Sequence, residues 1–185
     1  RPGVWGILAE ISNQDSSYAT TINANVLVVE SSSTPSLGSL APRSQHKTSI
    51  DVADLSQLSS SMSPNPYLYE RTIADALNTG RPFVVIFSTP GFCQSRICGP
   101  ILEIAIDLIP AYGNKVTFIH LEPYELGALR TSGQFVMSDT ALEWGLQSEP
   151  FVFVIDSGGH VRAKFEGIFT RDELAHALEG VILAN

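Results

Sequence analysis

The chain has 185 residues, 44% of them hydrophobic, with 19 acidic against 11 basic side chains and a formal net charge of −8. That length suits one compact domain with something attached, and the acidic balance argues against nucleic acid or anionic lipid as the main partner, since both attract basic surfaces. No apolar run approaches the roughly 18 to 20 residues of a membrane span, and no charged start leads into an apolar signal core. Beginning Arg1-Pro2-Gly3 without an initiator Met, the chain reads as a mature product or a fragment of a longer protein.

Residues 3–30 carry a hairpin pattern: a β-rich segment at 4–11, a polar turn at 13–17 and a second β-rich segment at 21–29. A lone two-stranded hairpin is marginal in water. It must therefore pack on the main domain, pair with another chain, or form the last two strands of an Ig-like β-sandwich, and the third reading is the expectation for 1–30. Residues 31–66 are rich in Ser and Pro, show no sustained period and read as an extended linker. From Tyr67 onward strands alternate with helices, the pattern of an α/β layer fold. Segment 72–77 predicts a short helix stopped by Gly80 and Pro82, 83–87 a strand, 101–109 a helix, and 116–121 the strand that completes a βαβ unit. The stretch 122–137 reads as an irregular loop, and Thr140 with Glu143 makes a capping box for a helix through Trp144. Segments 151–155 and 160–165 predict strands joined by Asp156-Ser157-Gly158-Gly159, which is hairpin-turn chemistry and not a phosphate loop. Thr170 and Glu173 form a second capping box, before a helix whose Leu174, Leu178, Val181 and Ile182 share one face.

The only two cysteines, Cys93 and Cys98, stand where strand 83–87 turns towards the next helix. In open α/β sheets chemistry collects at the carboxyl ends of strands. Residues five apart on a regular helix have Cα atoms roughly 8 to 9 Å apart, beyond the ~7 Å limit for a disulfide. A regular helix therefore cannot hold this pair oxidised. Either 93–98 is irregular, with Gly99 as N-cap and Pro100 at the first helical position, or it unwinds when the disulfide closes. Cys93, nearer the sheet edge and facing the positive helix end, is the expected attacking thiol, aided by Arg96 if that side chain folds back, and Cys98 is the resolving partner. The plainer alternative is a structural disulfide or two buried free thiols.

Glu103, Glu122 and Glu149 read as solvated surface carboxylates; of the three, Glu149 matters most, because beside Pro150 it would face the thiols and raise their pKa. His120 shares a strand face with Glu122 and reads as a partly buried, hydrogen-bonded histidine. A zinc site needs about four ligands with local spacing. The sequence does not supply them, so neither a metal nor a cofactor is expected.

The element order, the cysteine pair at the first strand-to-helix turn and the proline opening the third strand resemble the thioredoxin fold over 67–185. Phe92-Cys93, Gly99-Pro100, Glu149-Pro150 and Gly167 carry the resemblance, and 155–161 is more similar to the TlpA-like and peroxiredoxin branches. The resemblance implies a three-layer α/β fold, a central mixed sheet with helices on both faces, preceded by the hairpin. It also implies a cis peptide before Pro150, with that proline shielding the thiols and presenting backbone groups to an extended substrate. The implied activity is thiol-disulfide exchange on disulfides of exported proteins, with Cys93, Cys98 and Pro150 catalytic and Phe92, Arg96 and Glu149 supporting. The implied placement is extracytoplasmic, in a bacterial redox protein whose partners are protein thiols and disulfides. The chain departs from the family in carrying four residues between its cysteines, where two are usual, and in placing Phe87 where thioredoxin has a buried acid. Proton handling must then differ. Three alternatives stand beside this reading. One is a peroxiredoxin-type thiol peroxidase, with Cys93 peroxidatic, Cys98 resolving and Arg162 in the family's arginine role, against which Phe92 shifts Thr89 by one position. Another is Sco-type copper delivery, which lacks its histidine at 146–149. The last is a non-catalytic binding module stapled by the disulfide.

Overall fold

The computed structural model describes residues 1–15 and 17–183. Ser16, within the predicted turn, and residues 184 and 185, at the end of the predicted C-terminal domain, lie outside that description. The chain divides into two compact units, 1–32 and 33–185.

The first unit is an antiparallel ribbon of β1 (Gly3–Ser12) and β2 (Ala19–Val28), in register from Gly3 opposite Val28 to Ser12 opposite Ala19. Because side chains alternate along a strand, Trp5, Ile7 and Ile11 share one face with Ile22 and Val26 of the partner strand. These residues are 41–52% exposed.

The second unit is built on a four-stranded mixed sheet in the order β4-β3-β5-β6. β3 (Phe83–Phe87) pairs parallel with β4 (Thr117–Leu121) and antiparallel with β5 (Phe151–Ile155), which pairs antiparallel with β6 (Val161–Glu166). The uninterrupted apolar sequences of β3 and β5 follow from burial on both faces. On one face Val84, Ile86, Phe118, Val152 and Val154 meet α2 (Cys98–Tyr112) and α5 (Arg171–Leu183) through Leu102, Ala105, Leu108, Leu174 and Leu178. On the other face Phe83, Phe87, Phe151 and Phe153 pack with Trp144 and with Ile73 and Ala76 of α1 (Ile73–Asn78). The result is helix, sheet and helix in three layers.

Local capping sets several boundaries. Thr72 and Asp75 form a reciprocal capping box at α1, and Thr170 and Glu173 exchange the same bonds ahead of α5. The stretch predicted to be an irregular loop contains α3 (Leu126–Ser132), ended by Gly133 in the left-handed conformation at φ 69°. The capping box predicted from Thr140 and Glu143 does not form. Ser138 caps α4 (Asp139–Glu143) by accepting from the Ala141 amide, and Thr140 lies inside the helix. α2 likewise begins at Cys98, with Ile97 as N-cap, so Gly99 and Pro100 lie within its first turn and do not open it.

The Ser/Pro-rich segment predicted as a linker has fixed partners from Thr34 onward, where the buried Thr34 hydroxyl accepts from Lys164 at 2.9 Å. Gly38 and Ser39 exchange backbone bonds with Val161, and the Ala41 amide donates to Gly159 O. Ser44 accepts the Ala74 amide through its carbonyl and the indole N–H of the fully buried Trp144 through its hydroxyl, at 2.9 Å. Short polar side chains let this backbone approach the domain closely and satisfy buried donors along its path. Ser44→Ala strands the Trp144 donor, and a buried unpaired N–H costs about 1–3 kcal/mol. Urea denaturation is expected to show that loss, whereas a detached linker would show none.

Candidate active site

Beyond the last residue of β3 the chain makes two successive turns before it can become helical. Phe92 N and Cys93 N both donate to Thr89 O, at 3.2 and 2.9 Å, and Arg96 N lies 3.4 Å from Cys93 O. Arg96 has φ 61°, the only non-glycine residue in the left-handed region among the described residues, and a residue in that conformation cannot continue a right-handed helix. The first α-helical bond, from Ile101 N to Ile97 O, follows at once. Cys93 and Cys98 form a disulfide across this non-helical segment with Cα atoms 6.0 Å apart. The backbone between the cysteines is irregular, the first of the two arrangements their spacing allows, although the helix begins earlier than Gly99.

The two sulfurs differ in access. Cys98 is fully buried at the first helical position, whereas Cys93 is partly exposed and lines a groove with Gln94, Ser95, Tyr124, Phe135 and Glu149. The rings of Tyr124 and Phe135 meet edge to face at 5.1 Å, brought together where Glu125 N bonds Val136 O and Tyr124 bridges Met137. Arg96 is exposed and Phe92 half-buried. Glu149 lies beside the disulfide: one of its carboxylate oxygens and both sulfurs fall within 4.8 Å of one another. The Glu149-Pro150 peptide is cis, and Pro150 is buried with its carbonyl already bonded to the Gly167 amide at 2.9 Å.

Two of the carboxylates predicted to be solvated are not. Glu122, one residue past β4, is 9% exposed. Its Oε1 accepts the Ser60 amide at 2.6 Å, while Ser60 Oγ accepts the Gly91 amide at 2.8 Å. A Cβ at Gly91 would collide with the Ser60 backbone, so glycine is what admits this segment. Burial pushes Glu122 up to about 7, with the Glu149 charge acting in the same direction and Ser60 and Thr89 opposing. Glu149 is half-buried and likewise raised, mainly by desolvation. Thr89 Oγ1, Glu122 Oε2 and Glu149 Oε2 are all buried without a partner in hydrogen-bond geometry. Glu103 is exposed, as predicted.

His120 is more deeply buried than predicted, at 1% exposure, and desolvation lowers its pKa to about 4. Its Nε2 lies 2.9 Å from the Ser88 carbonyl and must donate there, so Nδ1 is the acceptor for the Tyr69 hydroxyl at 2.7 Å. Arg162 is not brought to the cysteines. It is held by Asp156 at 2.6 Å in the β5–β6 turn, at the far end of the sheet, and the peroxidase expectation loses its arginine.

Over 80% of this chain and 99% of the other, the structure superposes on a Chlorobium tepidum protein assigned as the thiol:disulfide interchange protein DsbE, with a TM-score of 0.53 at 17% identity. The fold is thioredoxin-like. Looser similarities extend to a thioredoxin-family thiol:disulfide interchange protein from Chlorobium tepidum TLS, with a TM-score of 0.44 at 17% identity over 59% and 84% of the two chains. A thio-disulfide isomerase from Thermus thermophilus gives a TM-score of 0.41 at 23% identity over 54% and 78%. No protein-family model and no curated protein sequence matches the chain. The structure brings together Cys93, Cys98 and Glu149, which the sequence singled out, and sets beside them Thr89, named there only for the peroxidase alternative, and Ser60, Tyr124 and Phe135, which the sequence did not single out. Only the shared strand face of His120 and Glu122 signalled a buried acid.

The two buried titratable groups have opposite linkage. Folding favours neutral His120, so its contribution is lost as pH falls from 6.5 towards 4. Folding favours protonated Glu122, so its contribution is complete below its ordinary 4.5 and is lost as pH rises to about 7. Glu122→Gln keeps the acceptor for Ser60 and removes the second dependence. The stability of the variant relative to the parent is expected to rise by about 3 kcal/mol between pH 4.5 and pH 8, measured by denaturant unfolding across that range; a constant difference would contradict the burial argument.

Proposed function

We propose that the protein is a thiol-disulfide oxidoreductase, with Cys93 as attacking thiol and Cys98 as resolving thiol, acting on disulfides of exported proteins. The observation that carries this reading is the asymmetric disulfide: one sulfur open to a groove, the other buried at a helix start. In the reduced protein the Cys93 thiolate attacks a substrate disulfide, forming a mixed disulfide and releasing the first substrate thiol. Cys98 then attacks Sγ of Cys93, releasing the second substrate thiol and closing the protein disulfide, so two electrons pass to the substrate. Once the disulfide is open, the start of α2, with its first-turn amides, is the end of the helix that favours thiolate. Glu149 opposes this by like-charge repulsion.

The groove supports an extended partner. Tyr124 and Phe135 give it an apolar wall and Gln94, Ser95 and Glu149 a polar one. Pro150 acts by shielding the disulfide and positioning Glu149; its carbonyl, bound to Gly167, is not offered to substrate. Phe92, half-buried in the turn before Cys93, supports that turn through the hydrogen bond from its amide to Thr89 O, and Arg96 sets the turn that keeps the helix from starting early. A closed disulfide suits an oxidising compartment, which supports an extracytoplasmic setting; the bacterial one rests on the resemblance to exported bacterial redox proteins. In the described residues no helix is long and apolar enough to cross a membrane. For the N-terminal ribbon, one apolar face supports its reading as two strands of an Ig-like sandwich over 1–30; the thioredoxin-like fold spans 67–185, and the 31–66 segment, from residue 33 onward, belongs to the same compact unit.

Cys98→Ser, offered disulfide-bearing proteins, is expected to accumulate a covalent adduct at Cys93 that dithiothreitol releases, detected by non-reducing electrophoresis and mass spectrometry. Cys93→Ser is expected to trap nothing. A Cys98→Ser variant inert to every disulfide offered would leave the binding-module reading in its place.

A further inference from the structure

Reduction of the disulfide turns the same corner of the molecule into a different kind of site. Cys93 Sγ, Cys98 Sγ and one Glu149 carboxylate oxygen already lie within 4.8 Å of one another. They come from the turn after β3, the start of α2 and the residue before β5, which explains why sequence spacing does not reveal the set. The Cα atoms of the cysteines are 6.0 Å apart, so both thiolates can reach one ion without moving the backbone far. In a tetrahedral site with metal–sulfur bonds of about 2.3 Å, the sulfurs stand roughly 3.8 Å apart. Oε2 of Glu149 and Oγ1 of Thr89 are both buried, and beyond their contact with each other neither has a partner in hydrogen-bond geometry. Buried acceptors in that condition are costly, and a cation offsets the cost of the carboxylate.

We infer that the reduced protein binds one zinc ion through Cys93, Cys98 and Glu149. Two thiolates with one carboxylate match the mixed sulfur and oxygen preference of zinc more closely than the all-oxygen sets of magnesium and calcium. Three protein ligands leave a fourth position open towards the groove of Tyr124 and Phe135, the arrangement of an exchangeable site and not of a structural one. As the ion binds, both thiol protons leave, two metal–sulfur bonds form and no electron moves. An incoming disulfide reverses this: it takes two electrons from the thiolates and two protons from water, Cys93 and Cys98 close on each other, and the ion departs. Zinc then holds the attacking thiol in reserve, and oxidation and metal binding exclude each other.

The inference rests on the disulfide being reducible, as the exchange reading does, but not on turnover. The test uses the whole chain, reduced with dithiothreitol and freed of it under nitrogen, then titrated with zinc against a chromophoric chelator and with cobalt as a spectroscopic probe. One ion per chain is expected in the reduced form, with tetrahedral cobalt bands and thiolate-to-cobalt charge transfer, and none in the oxidised form. Loss of even outer-shell partners weakens metal sites about 10- to 100-fold, so Glu149→Gln is expected to weaken binding at least about tenfold while its thiols still titrate in full. Equal affinity in Glu149→Gln, equal uptake by the oxidised protein, or no stoichiometric uptake by the reduced protein would each overturn the inference. Trapping by Cys98→Ser, run in excess chelator, proceeds without zinc. Lost metal binding with trapping retained therefore sinks this inference alone, and zinc uptake without trapping supports it while sinking the exchange reading.

Discussion

The hydrogen bond from the Ser60 amide to the Glu122 carboxylate ties together three parts of the domain that are far apart in sequence. Glu122 stands at the carboxyl end of β4, Ser60 belongs to the Ser/Pro-rich segment, and through its hydroxyl Ser60 also holds the amide of Gly91 in the turn that leads to Cys93. The guanidinium of Arg130, on α3, adds a bond to the neighbouring Ser59 carbonyl at 3.1 Å. A carboxylate this deep pays for its burial with a pKa near 7, and it is tolerable because one oxygen is satisfied. Remove the serine segment and the acid is left facing the apolar side of the sheet, while the cysteine turn loses its lateral support.

That support matters because the cysteine turn has no periodic structure of its own. The five-residue separation forbids a regular helix across a closed disulfide, so the backbone from Thr89 to Ile97 is set by single turns, by the left-handed Arg96 and by the Ser60 contact. Beneath it runs a buried polar row, Tyr69 to His120 to Ser88, in which each bond fixes the next: the Ser88 carbonyl demands the Nε2 proton, which makes Nδ1 an acceptor, which orients the Tyr69 hydroxyl. Such rows are costly if incomplete and specifying if complete. The large apolar clusters on both sheet faces provide the stability that lets this end of the sheet be polar.

How much of this could be read from the sequence follows the range of the interactions responsible. The strands β3 to β6, the Asp156 turn, the Thr170 cap and the need for irregular backbone between the cysteines depend on neighbours a few residues away, and local pattern displayed them. Ser138 as the cap of α4 did not show, because Ser138 and Thr140 are equally good caps locally; the loop that starts at Pro123, whose carbonyl takes the Ser138 amide, decides between them. The Ser/Pro-rich segment looked like a linker because its stabilising partners, Val161, Ala74, Trp144 and Glu122, lie from about thirty to over a hundred residues ahead. At the site, Cys93, Cys98 and Glu149 were legible because each sits beside a marker, either the other cysteine or a proline. Tyr124 and Phe135 carried no marker, since only the closing of 122–138 on itself brings their rings together.

The wide cysteine spacing and the two displaced carboxylates belong to one solution. With two residues between the cysteines both thiols can share the first turn of a helix, and an acid beneath the strand serves them from below. Here Cys98 alone is in the helix, Cys93 is carried out to the groove by two turns, and β3 ends in Phe87, which packs against Trp144 at 5.4 Å and leaves no room for an acid. Negative charge comes instead from beside β3: Glu149, just ahead of β5, lies directly against the disulfide, and Glu122, just past β4, lies within reach of the Glu149 charge. The two acids raise each other's cost, because the Glu149 charge adds to the burial of Glu122, and both lie against Thr89. Adding thiolate charge at Cys93 and Cys98 therefore strains an already crowded acidic corner. That corner favours any state that removes negative charge from it, whether a closed disulfide, a bound cation or a proton held on an acid.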